Sequence, residues 1–417
     1  YKTPEQRAEE EARDPLARLK DYLPDYKWDV LEEKMEAEVR AGLEAALANP
    51  DPDLASAPQH LFFEGLPQKV GGLLPDGAHV VTRHEASLPE TSGPRINLID
   101  AVRRTLETEL ALNPRALVFG EDVGVKGGVH GATLDLQHKF GPERVFDTSL
   151  SEEGIIGRAV GMALAGLLPI PEIQFRKYAD PAHEQIQDCG WIRWRTAGKF
   201  AAPVVVRVPV GFGKKTGDPW HSVTGEAIYA HTLGWRLAFP SNAADAVGLL
   251  RAALRGDDPT FFFEHRALLD TPPARRPYPG DDYRLPFGVA AAVQEGDSLT
   301  VVTWGEMVHR CLEAAQGFPG QVEILDLRTI VPWDREAVLV SVQKTGKCLV
   351  VHEDTLTGGF AGEIIATIAE HAFQYLDAPV ARLATLDCPI PYSPALMAGV
   401  VPSLEAVAAK MADLLAF

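Results

Sequence analysis

The sequence predicts an α/β protein, with two doubly wound domains preceded by a helical arm and an extended linker. Three observations lead there. Short apolar runs such as Ala116–Gly120, Pro203–Val208 and Thr260–Glu264 recur between helical stretches. That is the pattern of parallel βαβ units whose strands are buried on both faces. Pro-rich breaks near 49–94 and 271–286 divide the 417 residues into 1–94, 95–280 and 281–417. The first fifty residues instead carry apolar side chains at helical spacing.

In chain order, Asp14-Pro15 reads as an N-cap followed by a proline in the first helical position. Leu31, Met35, Val39, Leu43 and Leu47 recur every four residues among charged ones, which predicts one amphipathic helix. The stretch 49–94 is rich in Pro, Gly and Asp, with one apolar patch at Leu61-Phe62-Phe63. It reads as a wrapping connector. Strands follow at 116–120, 168–175, 203–208, 236–240 and 260–264, with helices at 154–166, 182–197 and 243–254. The second block has strands at 299–304, 322–327, 347–352 and 380–385. Its helices fall at 307–315, 335–342, 362–373 and 403–415.

Composition narrows the function. Asp and Glu number 58 against 40 Lys and Arg, a net charge of −18. Nucleic acid and anionic membranes are held by clustered basic residues, so neither is an expected partner. An acidic face suits a basic protein partner. No run of about 18 apolar residues is evident, and the N-terminal residues are too polar for an export signal. The four cysteines, Cys189, Cys311, Cys348 and Cys388, have no metal or disulfide spacing. A cytoplasmic location is the expectation.

Open parallel sheets bind ligands beyond the carboxyl ends of their strands. Three segments fall there: Gly120–Gly124, Ser149–Gly154 and Gln174–Tyr178. Ser151 with Glu152 and Glu153 is what any helix N-terminus favours, through capping and the macrodipole. The same carboxyls suit proton exchange if burial raises their pKa. Gly211-Phe212-Gly213 with Gly217 lacks the spacing of a phosphate loop. His221 closes that glycine-rich loop, where a histidine is either surface or catalytic. No His/Cys/Asp/Glu cluster has metal spacing, and no G-x-S-x-G elbow is present.

The segments Phe119–Val123, Gly127-Gly128-Val129, Arg144–Thr148, Ser151–Ile155 and Pro171–Phe175 occur in that order. Trp220-His221-Ser222, Phe262-Phe263-Glu264, Asp326–Thr329, Lys344-Thr345-Gly346 and His352-Glu353 follow. From about Arg95 onward this series resembles the beta subunit of thiamine-diphosphate-dependent 2-oxo acid dehydrogenases. These are the decarboxylating first components of the pyruvate and branched-chain complexes. Leu327–Asp334 and Leu356–Ala361 lean toward the branched-chain members. The start of the chain is similar to the C-terminal tail of the alpha subunit, through Tyr1-Lys2-Thr3, Asp14–Leu23 and the amphipathic helix. That similarity implies an alpha–beta fusion without its front, catalytically incomplete alone.

The resemblance implies a transketolase-like pyrimidine-binding domain followed by a transketolase C-terminal-like domain. Glu152 matches the glutamate that bonds the aminopyrimidine of thiamine diphosphate and favours its reactive tautomer. Glu121, Leu150, Gln174 and Tyr178 match positions lining that pocket. His221 matches the histidine facing the lipoyl group, an acid during reductive acylation. Thiamine diphosphate and Mg²⁺ are implied, both held largely by the alpha-like part. The family's K⁺ site is in question, because Val205 stands where a hydroxyl residue is usual. Val223-Thr224-Gly225 and Lys214-Lys215 also depart from the family pattern.

The implied partners are an alpha-like chain or upstream half, a second copy in a two-fold assembly, and the lipoyl and subunit-binding domains of the dihydrolipoyl acyltransferase. The second α/β domain is then a docking and dimerisation domain. Its Trp304-Gly305-Glu306, Leu327-Arg328-Thr329 and His352-Glu353-Asp354 strand ends form no nucleophile–base set. Pyruvate dehydrogenase is the near alternative. A sugar-phosphate synthase would need a basic clamp, for which only Arg176-Lys177 and Lys214-Lys215 qualify. A docking scaffold without catalysis would not need Glu152, Tyr178 and His221 together.

Overall fold

A computed structural model describes residues 3–50, 53–64, 92–213 and 216–417. Most of the expected connector, and the Lys214-Lys215 pair, lie outside the described residues. The chain forms two compact units, 1–58 and 59–417.

Among its described residues the first unit has three α-helices, α1 (Pro4–Glu11), α2 (Pro15–Tyr22) and α3 (Trp28–Ala48), and one short 3-10 turn at Leu54–Ser56. Thr3 and Gln6 close a capping box on α1. The Asp14 carboxylate accepts the Leu16 N–H at the start of α2, as the Asp-Pro pair predicts. Helix α3 carries the period-four stripe, and none of the three helices has a buried residue. Propensity and capping hold such helices only marginally, because helices in proteins draw most of their stability from packing.

The second unit begins with β1 (Arg95–Ile96), α4 (Leu98–Leu112), β2 (Ala116–Gly120), α5 (Leu136–Phe140) and β3 (Val145–Asp147). Helix α6 (Glu152–Leu164), β4 (Leu168–Glu172), α7 (His183–Arg195) and β5 (Val205–Val210) follow. Then come α8 (Glu226–Ala230), β6 (Arg236–Ala238), α9 (Ala243–Leu254), β7 (Thr260–His265) and β8 (Arg276–Pro277). The second α/β block contains β9 (Ala291–Gln294), β10 (Leu299–Thr303), α10 (Met307–Ala314), β11 (Val322–Asp326), β12 (Thr329–Val331) and α11 (Arg335–Thr345). It ends with β13 (Cys348–Thr355), α12 (Ala361–His371), β14 (Ala381–Thr385), α13 (Pro394–Val400) and α14 (Leu404–Leu415).

The larger sheet has the order β12-β6-β7-β5-β4-β2-β3. Every neighbouring pair in it is parallel except β12–β6. Alternate side chains enter two cores, as in any sheet covered on both faces. Phe261 and Phe263 of β7 join Phe119 and Trp235 on one face. Phe262 joins Val118, Leu98 and Leu250 on the other. The smaller sheet runs β14-β13-β10-β11-β9, parallel except for its β9 edge.

Val302, Leu325 and Val350 of the smaller sheet share one core with Phe261 and Phe263 of the larger. The two α/β blocks are therefore joined by a continuous apolar layer.

Several elements differ from the sequence expectation: α4, α5, α8, α13 and the short strands β1, β3, β8 and β9 are additional to it, and β12 leaves the second block to pair antiparallel with β6 of the first sheet. The stretch 394–415 also has the length and hydropathy of a membrane span, which the sequence reading did not single out. Here Val401-Pro402-Ser403 divides it. Ser403 caps α14 by accepting the Ala406 N–H, and Val407, Met411 and Leu414 are buried in the second block's core.

Candidate active site

The carboxyl ends of β2, β3 and β4 converge near the N-terminus of α6. Glu121 follows β2 and is 7% exposed. Its Oε1 is buried without a hydrogen-bond partner. Burial, and then the nearby Glu152 and Asp122 carboxylates, raise its pKa above the ordinary glutamate range. The loop after it is held by its own backbone. Gly128 donates to the Asp122 carbonyl at 2.7 Å, Gly124 to Asp147 Oδ1 at 2.7 Å, and the Thr133 hydroxyl to the Val123 carbonyl at 2.8 Å.

Glu152 opens α6 and is partly buried. Ser151 does not cap the helix. Its hydroxyl donates to Glu153 Oε1 at 2.9 Å, and no helix N–H reaches its side chain. The capping account of Ser151 therefore fails, while Glu152 remains free to face Glu121. Gln174, just beyond β4, donates its carboxamide N–H to the Glu121 carbonyl at 3.3 Å. Leu150 is 84% exposed, so its large apolar side chain stands in the open.

A second group adjoins the first through the chain step from Gln174 to Phe175. The Phe175 ring packs 4.2 Å from the His221 ring and edge-on to Tyr178 and His130. Tyr178 Oη and His221 Nε2 are hydrogen-bonded at 2.8 Å. Asp218 Oδ1 lies 2.9 Å from His221 Nδ1. Arg266 donates to the His221 carbonyl at 2.9 Å and sits over the Phe175 ring. His130 Nε2 is buried without a partner. Burial, then the Arg266 and Arg207 guanidiniums, lower its pKa to about 4, so it is neutral.

Glu121, Glu152 and Gln174 thus meet in one group, and Tyr178 and His221 in the next. Leu150 stands apart on the surface. The sequence reading missed Phe175, His130, Arg266 and Asp218. Phe175 lay within the strand-end segment already singled out, and Asp218 shows in the sequence only as a turn residue three positions before His221.

Beyond the His221 loop lies a cleft of about 890 Å³ lined by Arg176, Lys177, Ser222, Thr224 and Asp354 among others. Arg176 and Lys177 share a single carboxylate, Asp180, and Arg176 Nε and Nη2 are buried without a hydrogen-bond partner. The strand ends of the second block that border this cleft, at Glu353 and Asp354, have their polar groups already engaged. Glu353 bonds His265 at 2.5 Å and Asp354 accepts the Ala227 N–H. Trp304 donates to the buried Glu226 at 2.8 Å. These residues seal the joint between the two α/β blocks.

Comparison with known proteins bears on the family and the fold. Residues 95–272 match the transketolase pyrimidine-binding domain and 288–407 the transketolase C-terminal domain. The 2-oxoisovalerate dehydrogenase subunit beta of Bacillus subtilis is 41% identical over 327 residues, covering 77% of this chain and 99% of that protein. Its Pseudomonas aeruginosa counterpart is 40% identical, covering 75% and 92%. The pyruvate dehydrogenase E1 component subunit beta of Bacillus subtilis is 39% identical, covering 72% and 93%.

Among solved structures, a split gene transketolase described as an inactive beta4 tetramer superposes with a TM-score of 0.61 at 20% identity, covering 77% of this chain and 99% of that one. Transketolase from Leishmania mexicana gives 0.57 at 14%, covering 83% and 48%. At these identities the structural matches bear on the fold alone. The sequence relatives go further: the chain belongs to the family of 2-oxo acid dehydrogenase beta subunits, built on transketolase-type pyrimidine-binding and C-terminal domains.

Proposed function

We propose that the chain supplies the pyrimidine-side half of the active site in the decarboxylating component of a branched-chain 2-oxo acid dehydrogenase complex. The observation that carries this is the buried Glu121 carboxyl at a strand end, its Oε1 without a hydrogen-bond partner, with Glu152 at the helix start near enough to raise its pKa. Three relatives named 2-oxoisovalerate dehydrogenase support the branched-chain substrate. The pyruvate dehydrogenase relative, at 39% identity, keeps pyruvate as the second reading.

The residues fit thiamine diphosphate. An aminopyrimidine is a flat ring with polar edges, and the site offers a carboxyl, an unsatisfied buried acceptor, a carboxamide and exposed apolar surface. When bound, the cofactor supplies the electron sink that lets a 2-oxo acid lose carbon dioxide. Glu152 would hold a proton against the ring nitrogen edge. Glu121 lies near it, and its raised pKa lets it keep a proton nearer neutrality. Gln174 fixes the Glu121 backbone, and Leu150 would cover the ring. An alpha-type chain would hold the diphosphate and Mg²⁺. His221 would serve acyl transfer to a lipoyl group, and the acidic second α/β domain would dock a basic subunit-binding domain.

The test is Glu152→Gln in the complex assembled with its alpha-type partner. Decarboxylation of 2-oxoisovalerate should fall at least about 100-fold with the circular dichroism unchanged. Near-normal turnover by a folded variant would overturn the reading.

A further inference from the structure

His221 is held from both sides, and the partner on its inner side is a residue with no assigned role. Asp218 Oδ1 accepts the backbone N–H groups of Trp220 at 2.9 Å and His221 at 2.8 Å. The same oxygen lies 2.9 Å from His221 Nδ1. The Asp218 N–H donates to Ser222 Oγ at 2.9 Å, and the Ser222 N–H to the Asp218 carbonyl. The turn 218–222 is thereby closed on itself. Asp218's side chain is 14% exposed and His221's 34%, so the carboxylate lies inside and one edge of the ring outside. On the far ring nitrogen stands the Tyr178 hydroxyl. Phe175 covers a ring face and Arg266 pins the carbonyl, so the ring has little freedom to turn.

A neutral imidazole carries its proton on one nitrogen and accepts on the other. An ionised carboxylate can only accept. Its place at Nδ1 therefore demands Nδ1–H, which leaves Nε2 as the acceptor for the Tyr178 O–H. Resting on the reading of His221 given above, we propose that Asp218 is a positioning residue: it fixes His221 in the Nδ1–H tautomer and makes the Tyr178 hydroxyl the outlet of a three-residue proton relay. When the ring is charged, Nε2–H donates to the tyrosine oxygen. The ring passes that proton to Tyr178 while the tyrosine passes its own to a basic atom above it. Tyr178 ends unchanged, and His221 ends neutral with Nδ1–H still on Asp218.

The experiment is a two-bond ¹H–¹⁵N imidazole correlation spectrum of the full chain at alkaline pH. The signal among 12 histidines is assigned by its loss in His221→Gln. The wild-type ring should appear as Nδ1–H. Asp218→Ser keeps an oxygen able to cap the turn but withdraws it from the ring, and should move most of the signal to Nε2–H. Asp218→Asn keeps the acceptor and should retain Nδ1–H. An unchanged tautomer in Asp218→Ser overturns the proposal.

In the assembled enzyme, Asp218→Ser should slow acyl transfer to lipoyl by about tenfold or more, with KM unchanged. Decarboxylation with an artificial acceptor should keep its rate; an equal loss in both assays also overturns the proposal. A functional Glu152→Gln enzyme would sink the reaction assignment and leave the tautomer result standing. An unmoved tautomer beside an inactive Glu152→Gln enzyme would sink only the role of Asp218.

Discussion

Replacing Arg207 with Met should cost the second unit about 5 kcal/mol at pH 8. Arg207 lies in β5, is fully buried, and bonds two carboxylates on the flanking strands. It reaches Glu172 Oε2 on β4 at 2.7 Å and both Glu264 oxygens on β7 at 2.7 and 2.9 Å. Methionine fills most of the same volume, so packing changes little. The penalty comes from leaving two buried carboxylates with no cation. Breaking one buried pair by removing a partner costs about 3–5 kcal/mol, and here one guanidinium serves both, which places the loss at the top of that range.

The loss should also depend on pH, and its sign follows from Glu264. Burial raises the Glu264 pKa in the folded state even with Arg207 opposing it. A carboxyl whose folded pKa lies above its unfolded value stabilises below the unfolded pKa, and that contribution fades as pH rises through the folded one. Without the guanidinium the folded value climbs further. The deficit of Arg207→Met should therefore shrink from pH 8 toward pH 5, by about 1.4 kcal/mol for each unit of added shift.

Urea unfolding of both proteins at the two pH values measures this. A deficit below about 1 kcal/mol, or one independent of pH, would refute the view that charge compensation holds these strands in register beneath the site.

Three further outcomes are expected. Gly225 has φ +55°, and a Cβ there would lie 2.5 Å from Arg176 Nε. Gly225→Ala should lose about 2 kcal/mol in thermal unfolding, and an unaltered transition would contradict that contact. Burial, then Asp354, raises the Glu226 pKa to about 8, so wild-type stability should decline between about pH 4.5 and 8. Glu226→Gln keeps an acceptor for Trp304 and should flatten that decline, which stability curves across this range would show. His221→Ala should reduce acyl transfer to lipoyl by about 100-fold or more and spare decarboxylation with an artificial acceptor. Equal losses in the two assays would remove His221 from the transfer step.

The fold was legible where one local pattern carries it. The run Thr260–His265 announces a doubly buried strand because no polar residue interrupts its apolar core. Asp14-Pro15 announces a helix start because capping involves neighbours only. The run Thr329-Ile330-Val331 carries no such message. Its pairing with β6 lies about 90 residues away and crosses between blocks, so only the assembled core selects it. The same is true of Arg207. A charge in the run Val204–Val210 looks like an error until Glu172 and Glu264 are set beside it.

The site divides along the same line. The segments that hold Glu121, Glu152 and Gln174 could be picked out because strand ends and helix starts in an open sheet face a ligand by topology, while the residues within them were named by the family resemblance. Asp218 could not, because its partners are the two nitrogens of a turn and one imidazole edge. Asparagine or serine would cap that turn equally well. What distinguishes aspartate there is the ring it meets in three dimensions. Its identity therefore speaks about His221, and through His221 about Tyr178, in a way that no reading of the turn alone could reach.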